Sequence, residues 1–464
     1  MMVVNDRRPP REGHRAAGIV GLVLLAVTSV CPASQAPDDP GGQPALNVIL
    51  ITISSLRADH VSCFGYGRDT TPHFDRFAAE HVCFRNAFAT SGWMMPAHGS
   101  LFTSLYPSCH GATHIDRTLG AECTTLAEIL ADNGYYCAGF CCGPRLDAEH
   151  GFARGFHVYD DQSVVGLLQA MAFDQPASVD LNRQRTNDLI NDAATGWLRS
   201  NTHHPFFLFV HYYDNHWDYL PPEPYRSLYD PNYTGLLSGT RIAREPLYSN
   251  PPGERDVEHL MALYDGEVRQ TDEDLGELLA TLQDRGLFEN SMIVILGDHG
   301  EEFYEHGHTS HHGVYDELIH IPLAISVPCV GRRTTDALVS QVDLLPTVLD
   351  GVGIPVPEWC QGRSLMGVVE GRVQSANAFV VAEYTGRAVE DIFAVRSRRT
   401  KCCVTGAGDV FAYDLIADPG ELAAIAAKDF NRDMQVLEKE LLKLMSPYLR
   451  QQEPANTNHD SEGD

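Results

Sequence analysis

Metal-binding residue types stand together directly after an apolar segment of the chain. Gly297-Asp298-His299-Gly300 follows the apolar run Met292 to Leu296. A carboxylate and an imidazole at the end of a strand are good ligands for hard or borderline divalent cations. The pair is equally compatible with a helix cap, because Glu301 and Glu302 suggest that a helix follows. From these residues alone, a metal site and a structural role are equally well supported.

Histidine is dense around this pair. His211 and His216 flank Asp214 after another apolar run. Histidine supplies metal ligands and proton donors near neutral pH, whereas a solvated loop is the alternative for any single one. The density predicts a site in this segment without identifying the residues that it uses. Six histidines fall within 22 residues, namely His299, His306, His308, His311, His312 and His320.

A third candidate feature is a turn that leads into a helix. The segment Trp93-Met94-Met95-Pro96-Ala97-His98 predicts a helix that begins near Pro96. A helix N-terminus presents free N–H groups and partial positive charge, which favour an oxyanion such as sulfate or phosphate. His98 on the first turn adds a donor. Because most helix starts bind only water, this feature by itself is weak.

Alternating strands and helices are expected to position these groups. Helical periodicity covers Asp180 to Arg199 and Asp256 to Arg285, Pro72 fits a helix start, and Thr125 with Glu128 fits a capping box. Such alternation predicts an α/β fold with a large, mostly parallel central sheet flanked by helices, and a site beyond the carboxyl ends of its strands. The strand candidates are Leu46 to Ile53, Tyr135 to Cys141, Phe206 to His211, Met292 to Leu296 and Ile321 to Val327.

The N-terminus has the pattern of an export signal. Four arginines precede an apolar run from Gly18 to Val30, and Ser34-Gln35-Ala36 offers small residues for cleavage. The run is shorter than the roughly 20 residues that span a bilayer, although a retained membrane anchor is the alternative. We therefore expect residues 1–36 to be a signal peptide and the protein to be exported, periplasmic or secreted, with no stable membrane insertion after cleavage.

The remaining chain is expected to contain two folded parts. Residues 37–45 predict a linker, 46–350 the α/β domain, and 351–450 a small C-terminal α+β subdomain. Within the subdomain, strands are expected near 378–382 and 391–395 and a helix over Glu421 to Tyr448. Residues 451–464 predict a disordered tail. The eleven cysteines after Cys31 are interpreted as buried thiols with a few bridges, and their odd number leaves at least one thiol unpaired.

Charge excludes one class of partner. The chain carries 34 Lys+Arg against 62 Asp+Glu, a formal net charge of −28. Nucleic acid is not expected as a partner, because its binding requires Lys and Arg to neutralise phosphates. Polyanionic glycans would need a local basic patch, for which Arg57, Arg85 and Arg145 are candidates. The basic residues are almost all arginine, since the first lysine of the sequence is Lys401.

An ordered series of motifs runs along the chain. The motifs are Asn47 to His60, Thr71 to Asp75, Leu101 to Pro107, His110-Gly111, Pro205 to His211, Tyr264 to Glu267, Asp298 to Glu302, Tyr315 to Glu317 and Tyr413 to Glu421. From about residue 46 to about 425, this series resembles the sulfatase family of the alkaline-phosphatase-like superfamily. The resemblance implies an alkaline-phosphatase-like sandwich that hydrolyses sulfate or phosphate esters at one divalent cation (Ca, Mg, Mn or Zn). In the family pattern, a formylglycine made from Cys or Ser at a helix start is the nucleophile, and related branches use Thr.

Five positions depart from the family pattern. The nucleophile position is Met94, at which no formylglycine can form, and the opening metal carboxylates are replaced by Ser54 and Ser55. The arginine and the lysine of the pattern fall on His98 and His312. The resemblance keeps Asp298 and His299 as metal ligands. It also implies His211 and His216 as leaving-group or substrate contacts, and Arg57, His98 and His312 as substrate-binding residues.

Two hypotheses follow from these departures. The first is a catalytically impaired family member that binds a small or glycan sulfate or phosphate ester, or a protein partner. Losing a covalent nucleophile costs several powers of ten in rate. The alternative is therefore an active sulfuric or phosphoric ester hydrolase that uses a shifted metal-dependent mechanism. A membrane-bound transferase of the same superfamily is disfavoured, since the sequence offers no series of membrane helices.

Overall fold

The computed structural model describes residues 45–113, 117–143, 145–161, 185–239, 252–385 and 390–452. The predicted signal peptide, nearly all of the linker and most of the predicted tail lie outside these ranges. Residues from Asp38 onward belong to one compact unit. Across the described ranges, no helix combines the length and the apolar character that a membrane crossing needs.

The described residues contain fifteen strands. Eight form the central sheet in the order β10-β2-β9-β6-β1-β5-β3-β4, in which β9 alone runs against the others. The strands are β1 (Asn47–Ile53), β2 (Val82–Phe88), β3 (Tyr136–Cys141), β4 (Val158–Asp160), β5 (Phe206–Tyr212), β6 (Ser291–Gly297), β7 (Glu302–Phe303), β8 (Thr309–Ser310), β9 (His320–Ser326), β10 (Arg333–Ser340), β11 (Val380–Tyr384), β12 (Ile392–Arg396), β13 (Thr400–Thr405), β14 (Val410–Asp414) and β15 (Ile425–Ala426).

Burial on both faces explains the apolar central strands. In β1, Val48 and Leu50 enter one hydrophobic core, while Ile49, Ile51 and Ile53 enter the core on the opposite face. Alternate side chains of a strand point to opposite faces, so a sheet covered on both sides requires a continuous apolar run. The helices are α1 (Pro72–Glu80), α2 (Met94–Thr103), α3 (Pro107–His110), α4 (Leu126–Asp132), α5 (Thr186–Leu198), α6 (Tyr225–Leu228), α7 (Glu254–Asp284), α8 (Asp316–Ile319), α9 (Leu344–Gly351), α10 (Met366–Val369) and α11 (Arg432–Gln452).

The C-terminal part forms a second sheet. Strands β11 to β15 are antiparallel neighbours in sequence order, and α11 packs on them through Met434, Leu437 and Leu441. These features confirm the predicted fold class, a mostly parallel central sheet with a small C-terminal α+β part. All eleven cysteines from Cys63 to Cys403 are free thiols.

Several element boundaries differ from the sequence-based expectations. Helix α2 begins at Met94, two residues before Pro96, and the C-terminal helix begins at Arg432 rather than at Glu421. The same helix runs through Gln452, so the first two residues of the predicted tail are helical. The helix-cap interpretation of Asp298 and His299 is wrong, because the strand β7 follows them instead of a helix. The capping box is present, with Glu128 N donating to Thr125 Oγ1 over 3.1 Å.

Helix α7 buries several carboxyl groups beside the central sheet. Asp274 is 3% exposed and accepts a hydrogen bond from Asn187 Nδ2 over 3.2 Å. Burial raises the pKa of Asp274 to about 8, and the nearby Asp214 acts in the same direction. The unfolded chain would lose this proton near pH 4. The folded protein therefore keeps this proton between roughly pH 4 and 8, and the contribution of Asp274 to stability falls as the pH rises through this window.

We expect Asp274→Asn to flatten the pH dependence of stability. The amide cannot ionise, so the free energy of unfolding should fall less steeply between pH 5 and 8, by up to about 1.4 kcal/mol per pH unit. Denaturant titrations of both proteins at four pH values measure this slope. Asp284→Asn, an exposed change on the same helix, is the matched control. Parallel curves for Asp274→Asn and the unaltered protein would contradict the assignment.

Candidate functional site

Neighbouring strands carry the site residues to one edge of the central sheet. Thr52 in β1 is the register partner of His211 in β5, and Ile53 is the partner of Gly297 in β6. Ser54 and Ser55 therefore leave the sheet beside Asp298 and His299. The strands β1, β5 and β6 are parallel, so these groups share the carboxyl edge, where ligands bind in open α/β sheets.

Asp298 is fully buried and only half satisfied. Its Oδ1 accepts from Ser55 N over 2.9 Å and from His299 N over 2.7 Å. Its Oδ2 has no hydrogen-bond partner among the described residues. Burial raises the pKa of Asp298 to about 6. The group is therefore mostly a carboxylate at neutral pH, with one oxygen ready to bind a cation or a donor.

His299 has a defined tautomer. Its Nδ1 lies 2.8 Å from the carbonyl oxygen of Gly300, which can only accept, so Nδ1 carries the proton. Burial lowers the pKa of His299 to about 4, which leaves the ring neutral. Its Nε2 thus holds a lone pair and lies 3.7 Å from Asp298 Oδ2, without a hydrogen-bond partner in the described part of the chain.

A second hydrogen-bond chain defines the tautomer of His211. His98 Nδ1 lies 2.9 Å from the carbonyl oxygen of Met94 and must donate to it. His98 Nε2 then accepts from the Thr52 hydroxyl over 3.1 Å, and Thr52 Oγ1 accepts from His211 Nδ1 over 2.8 Å. His211 Nε2 is left with a lone pair, and none of the described residues forms a hydrogen bond with it. Burial lowers the pKa of both rings, so both are neutral.

The residue types at this edge fit a divalent cation. One ring nitrogen each of His98 and His211 and one carboxylate oxygen of Asp298 lie within 4.8 Å of one another. The hydroxyls of Ser54 and Ser55 are also fully buried, and no residue that the structure describes forms a hydrogen bond with them. Unpartnered buried polar atoms are costly, about 1–3 kcal/mol each, and are rare in native proteins. Their concentration at one place indicates a binding site.

Met94 occupies the helix start as an apolar residue. It is the first residue of α2, is 2% exposed, and belongs to a hydrophobic core with Met95. Its sulfur lies against Gly143, where an added Cβ would approach Met94 Sδ to 2.9 Å. A thioether has no proton to lose and cannot be converted to formylglycine, so this position supplies packing and no nucleophile.

Three residues with an implied substrate role have other partners in this structure. The Arg57 guanidinium lies 2.7 Å from Asp59 and 2.6 Å from Glu305, and it donates to the carbonyl oxygen of Glu301. Both ring nitrogens of His98 are engaged, as described above. His312 is half-buried, with Nδ1 3.0 Å from the Tyr384 hydroxyl. An anion would have to displace these contacts to reach Arg57 or His98.

The histidine-rich segment divides between the site and its surroundings. The ring of His311 lies 4.8 Å from that of His299 and 5.1 Å from that of His216. His216 is half-buried, and its Nδ1 donates to the carbonyl oxygen of Trp217 over 3.0 Å. His306 instead pairs with Glu317, and His320 stacks on Phe88 away from the site.

Thr52 belongs to the site but is not among the residues that the sequence pattern predicts for it. It lies inside an apolar run, where a β-branched threonine is an ordinary strand residue. One feature of the sequence does point to Thr52: a hydroxyl in a strand that is covered on both faces is buried, and buried hydroxyls need hydrogen-bond partners.

Comparisons with known proteins match most of the chain. Residues 46–354 match the family described as Sulfatase, and residues 304–447 match the C-terminal region described for N-sulphoglucosamine sulphohydrolase. The chain is 24% identical to arylsulfatase K of Bos taurus, with 88% of this chain and 85% of that protein covered. Sulfate ester hydrolases are thus among its relatives.

Solved structures show the same fold. The phosphonate monoester hydrolase of Agrobacterium radiobacter superposes with a TM-score of 0.71 at 21% identity, covering 87% of this chain and 96% of that one. A protein in complex with its substrate D-glucosamine-2-N,6-O-disulfate superposes with a TM-score of 0.70 at 19% identity, covering 89% of this chain and 100% of that one.

Proposed function

This chain belongs to the sulfatase family, and from that membership we propose that it binds a sulfate or phosphate ester without forming a covalent intermediate. The observation that carries the proposal is Met94, a buried thioether at the first residue of α2, where the resemblance places the nucleophile. A covalent mechanism needs an atom that attacks sulfur or phosphorus. Among the described residues at this helix start, Met94, Met95 and Pro96 offer none.

The ester is proposed to sit between the buried edge of the sheet and the half-buried histidines. The unpartnered atoms of Asp298, His299 and His211 are all acceptors, so they repel an oxyanion unless a cation lies between. A divalent cation bound there would balance the charge of the ester and polarise one of its oxygens. His216 and His312 are the half-buried imidazoles that we assign to contact the ester.

Sulfated sugars and small sulfate or phosphate esters are the ligands that we propose. One structural neighbour holds a glucosamine disulfate as its substrate, and another is a phosphonate monoester hydrolase. The N-terminal pattern of residues 1–36 supports export, which would bring the protein to extracellular or periplasmic glycans. The ion pairs of Arg57 argue against a long polyanionic ligand anchored at that residue.

A second candidate function is hydrolysis by a water molecule activated at the cation. The unpartnered buried acceptors favour it, because a cation-binding edge retained without a nucleophile still offers Lewis acidity. In this alternative, the chain's own residues bind the ester, hold Asp298 as a carboxylate and exclude bulk water. Turnover separates the two candidates, and its measurement is described in the Discussion.

Calorimetric titration of the mature protein with an aryl sulfate, an aryl phosphate and a sulfated monosaccharide tests ester binding. We expect saturable binding that depends on a divalent cation. We also expect His216→Ala to weaken the affinity at least about tenfold, or 1.4 kcal/mol. His204→Ala, at an exposed histidine before β5, is the matched control and should change nothing. Absence of binding to all three ligands with cation present would contradict the proposal.

A further inference from the structure

Three of the unpartnered atoms at the sheet edge share one chemical property. Asp298 Oδ2, His299 Nε2 and His211 Nε2 are buried, lack hydrogen-bond partners among the described residues, and carry lone pairs. The carbonyl oxygen of Gly300 keeps the proton of His299 on Nδ1. The carbonyl oxygen of Met94 has the same effect on His211, because the hydrogen bonds through His98 and Thr52 connect the two. Lone pairs are satisfied by a cation or a hydrogen-bond donor, and never by an oxyanion.

The donor types select among cations. Calcium and magnesium prefer six or more oxygen ligands, with carboxylates prominent among them. This edge offers one carboxylate, two neutral imidazoles and the hydroxyls of Ser54 and Ser55, where the family pattern has acids. Imidazole nitrogen with one carboxylate is the ligand combination of zinc sites that keep a position for a non-protein ligand.

The spacing of the groups suits a small coordination sphere. His299 Nε2 lies 3.7 Å from Asp298 Oδ2, and one atom of His211 lies within 4.8 Å of one atom of Asp298. Ligand atoms about 2.0–2.1 Å from a tetrahedral zinc ion are separated by roughly 3.3 Å. The separation of His299 Nε2 from Asp298 Oδ2 is therefore close to that of zinc ligands, and His211 approaches Asp298 from the neighbouring strand.

We propose that His211, Asp298 and His299 form a zinc-type cation site, in which the imidazole of His211 takes over a ligand position left by the lost carboxylates. His98 and Thr52 act as positioning residues, because they hold His211 in the tautomer that directs its lone pair at the cation. This inference rests on the proposed ester site and specifies its cation. The outer hydrogen bonds of a histidine ligand commonly change metal affinity 10–100-fold.

Cation binding to the chelator-stripped mature protein tests the site without any ester. Competition titrations should show one Zn²⁺ bound per chain, at least about 100-fold more tightly than Ca²⁺ or Mg²⁺. Zinc should also raise the melting temperature, since a ligand of the folded state stabilises it. His211→Asn should lower zinc affinity at least about 100-fold, whereas the half-buried His320→Gln serves as the control and should leave it unchanged.

The positioning role has its own variant pair. Thr52→Val removes the hydroxyl that links His98 to His211 and should weaken zinc binding about 10–100-fold, while Thr52→Ser should restore it. Equal affinity for zinc, calcium and magnesium, or full zinc affinity in His211→Asn, would overturn the inference. Ester binding without zinc binding would overturn it while leaving the proposed function intact. Zinc binding without ester binding would overturn the proposed function and leave the cation site intact.

Discussion

The double variant Met94→Thr, Ser54→Asp is expected to hydrolyse an aryl sulfate or an aryl phosphate at least about tenfold faster than Met94→Thr alone. Threonine places a hydroxyl at the first residue of α2. Aspartate at position 54 adds a second carboxylate beside Asp298, whose Oδ2 has no hydrogen-bond partner within the described ranges. The nucleophile and the ligands of the cation act as a unit, so a hydroxyl placed beside a cation that is held by a single carboxylate should recover little.

Product release under single-turnover and steady-state conditions measures this effect. Met95→Thr is the matched control, because it makes the same chemical change at the next buried residue of the helix. Thermal unfolding of each variant confirms that the fold survives. If Met94→Thr alone reached the rate of the double variant, our account of the altered cation site would be wrong.

Lys401→Met is expected to lower the free energy of unfolding by about 3–5 kcal/mol. Lys401 is fully buried in β13, with Nζ 2.7 Å from Asp316 Oδ1 and 2.7 Å from Glu421 Oε1. It also donates to the carbonyl oxygen of Val314 over 2.8 Å. Methionine keeps the apolar stem but takes the cation away from the buried carboxylate of Glu421, whereas half-buried Asp316 keeps its pair with Arg396. Removing one partner of a buried ion pair is strongly destabilising.

This lysine ties the C-terminal sheet to the segment after the site histidines, because Val314 and Asp316 closely follow His311 and His312. Denaturant unfolding measures the loss. Lys443→Met provides the control, since Lys443 pairs with Glu440 in solvent on α11 and its removal should change stability by less than about 0.5 kcal/mol. An unfolding midpoint unchanged by Lys401→Met would show that the carboxylates find other partners.

Much of the fold follows from sequence pattern. The apolar runs that predict β1, β3, β5, β6 and β9 are continuous because the sheet is covered on both faces. The strand β2 was missed because Arg85 and Asn86 interrupt its apolar pattern. The strand β10 was missed because it begins with Arg333, an exposed residue at the edge of the sheet.

The site was only partly predictable. Adjacent residues such as Asp298 and His299, and replacements such as Met94, can be read directly along the chain. The hydrogen-bond link from His98 through Thr52 to His211 cannot be predicted from the chain in this way. It depends on the register between β1 and β5 and on which nitrogen of each ring carries a proton. Arg57 was assigned to substrate from its place in a motif, and its pairing with Glu305 joins residues far apart in sequence.

Turnover by the unaltered mature protein tests the central claim most directly. The protein, saturated with zinc and in separate samples with calcium, magnesium or manganese, would be incubated with an aryl sulfate, an aryl phosphate monoester and a phosphate diester. Asp298→Ala prepared identically is the reference. We predict that the two proteins release product at the same background rate with every cation. Product release by the unaltered protein clearly above that of Asp298→Ala would contradict the claim and establish hydrolysis that does not need a nucleophile at position 94.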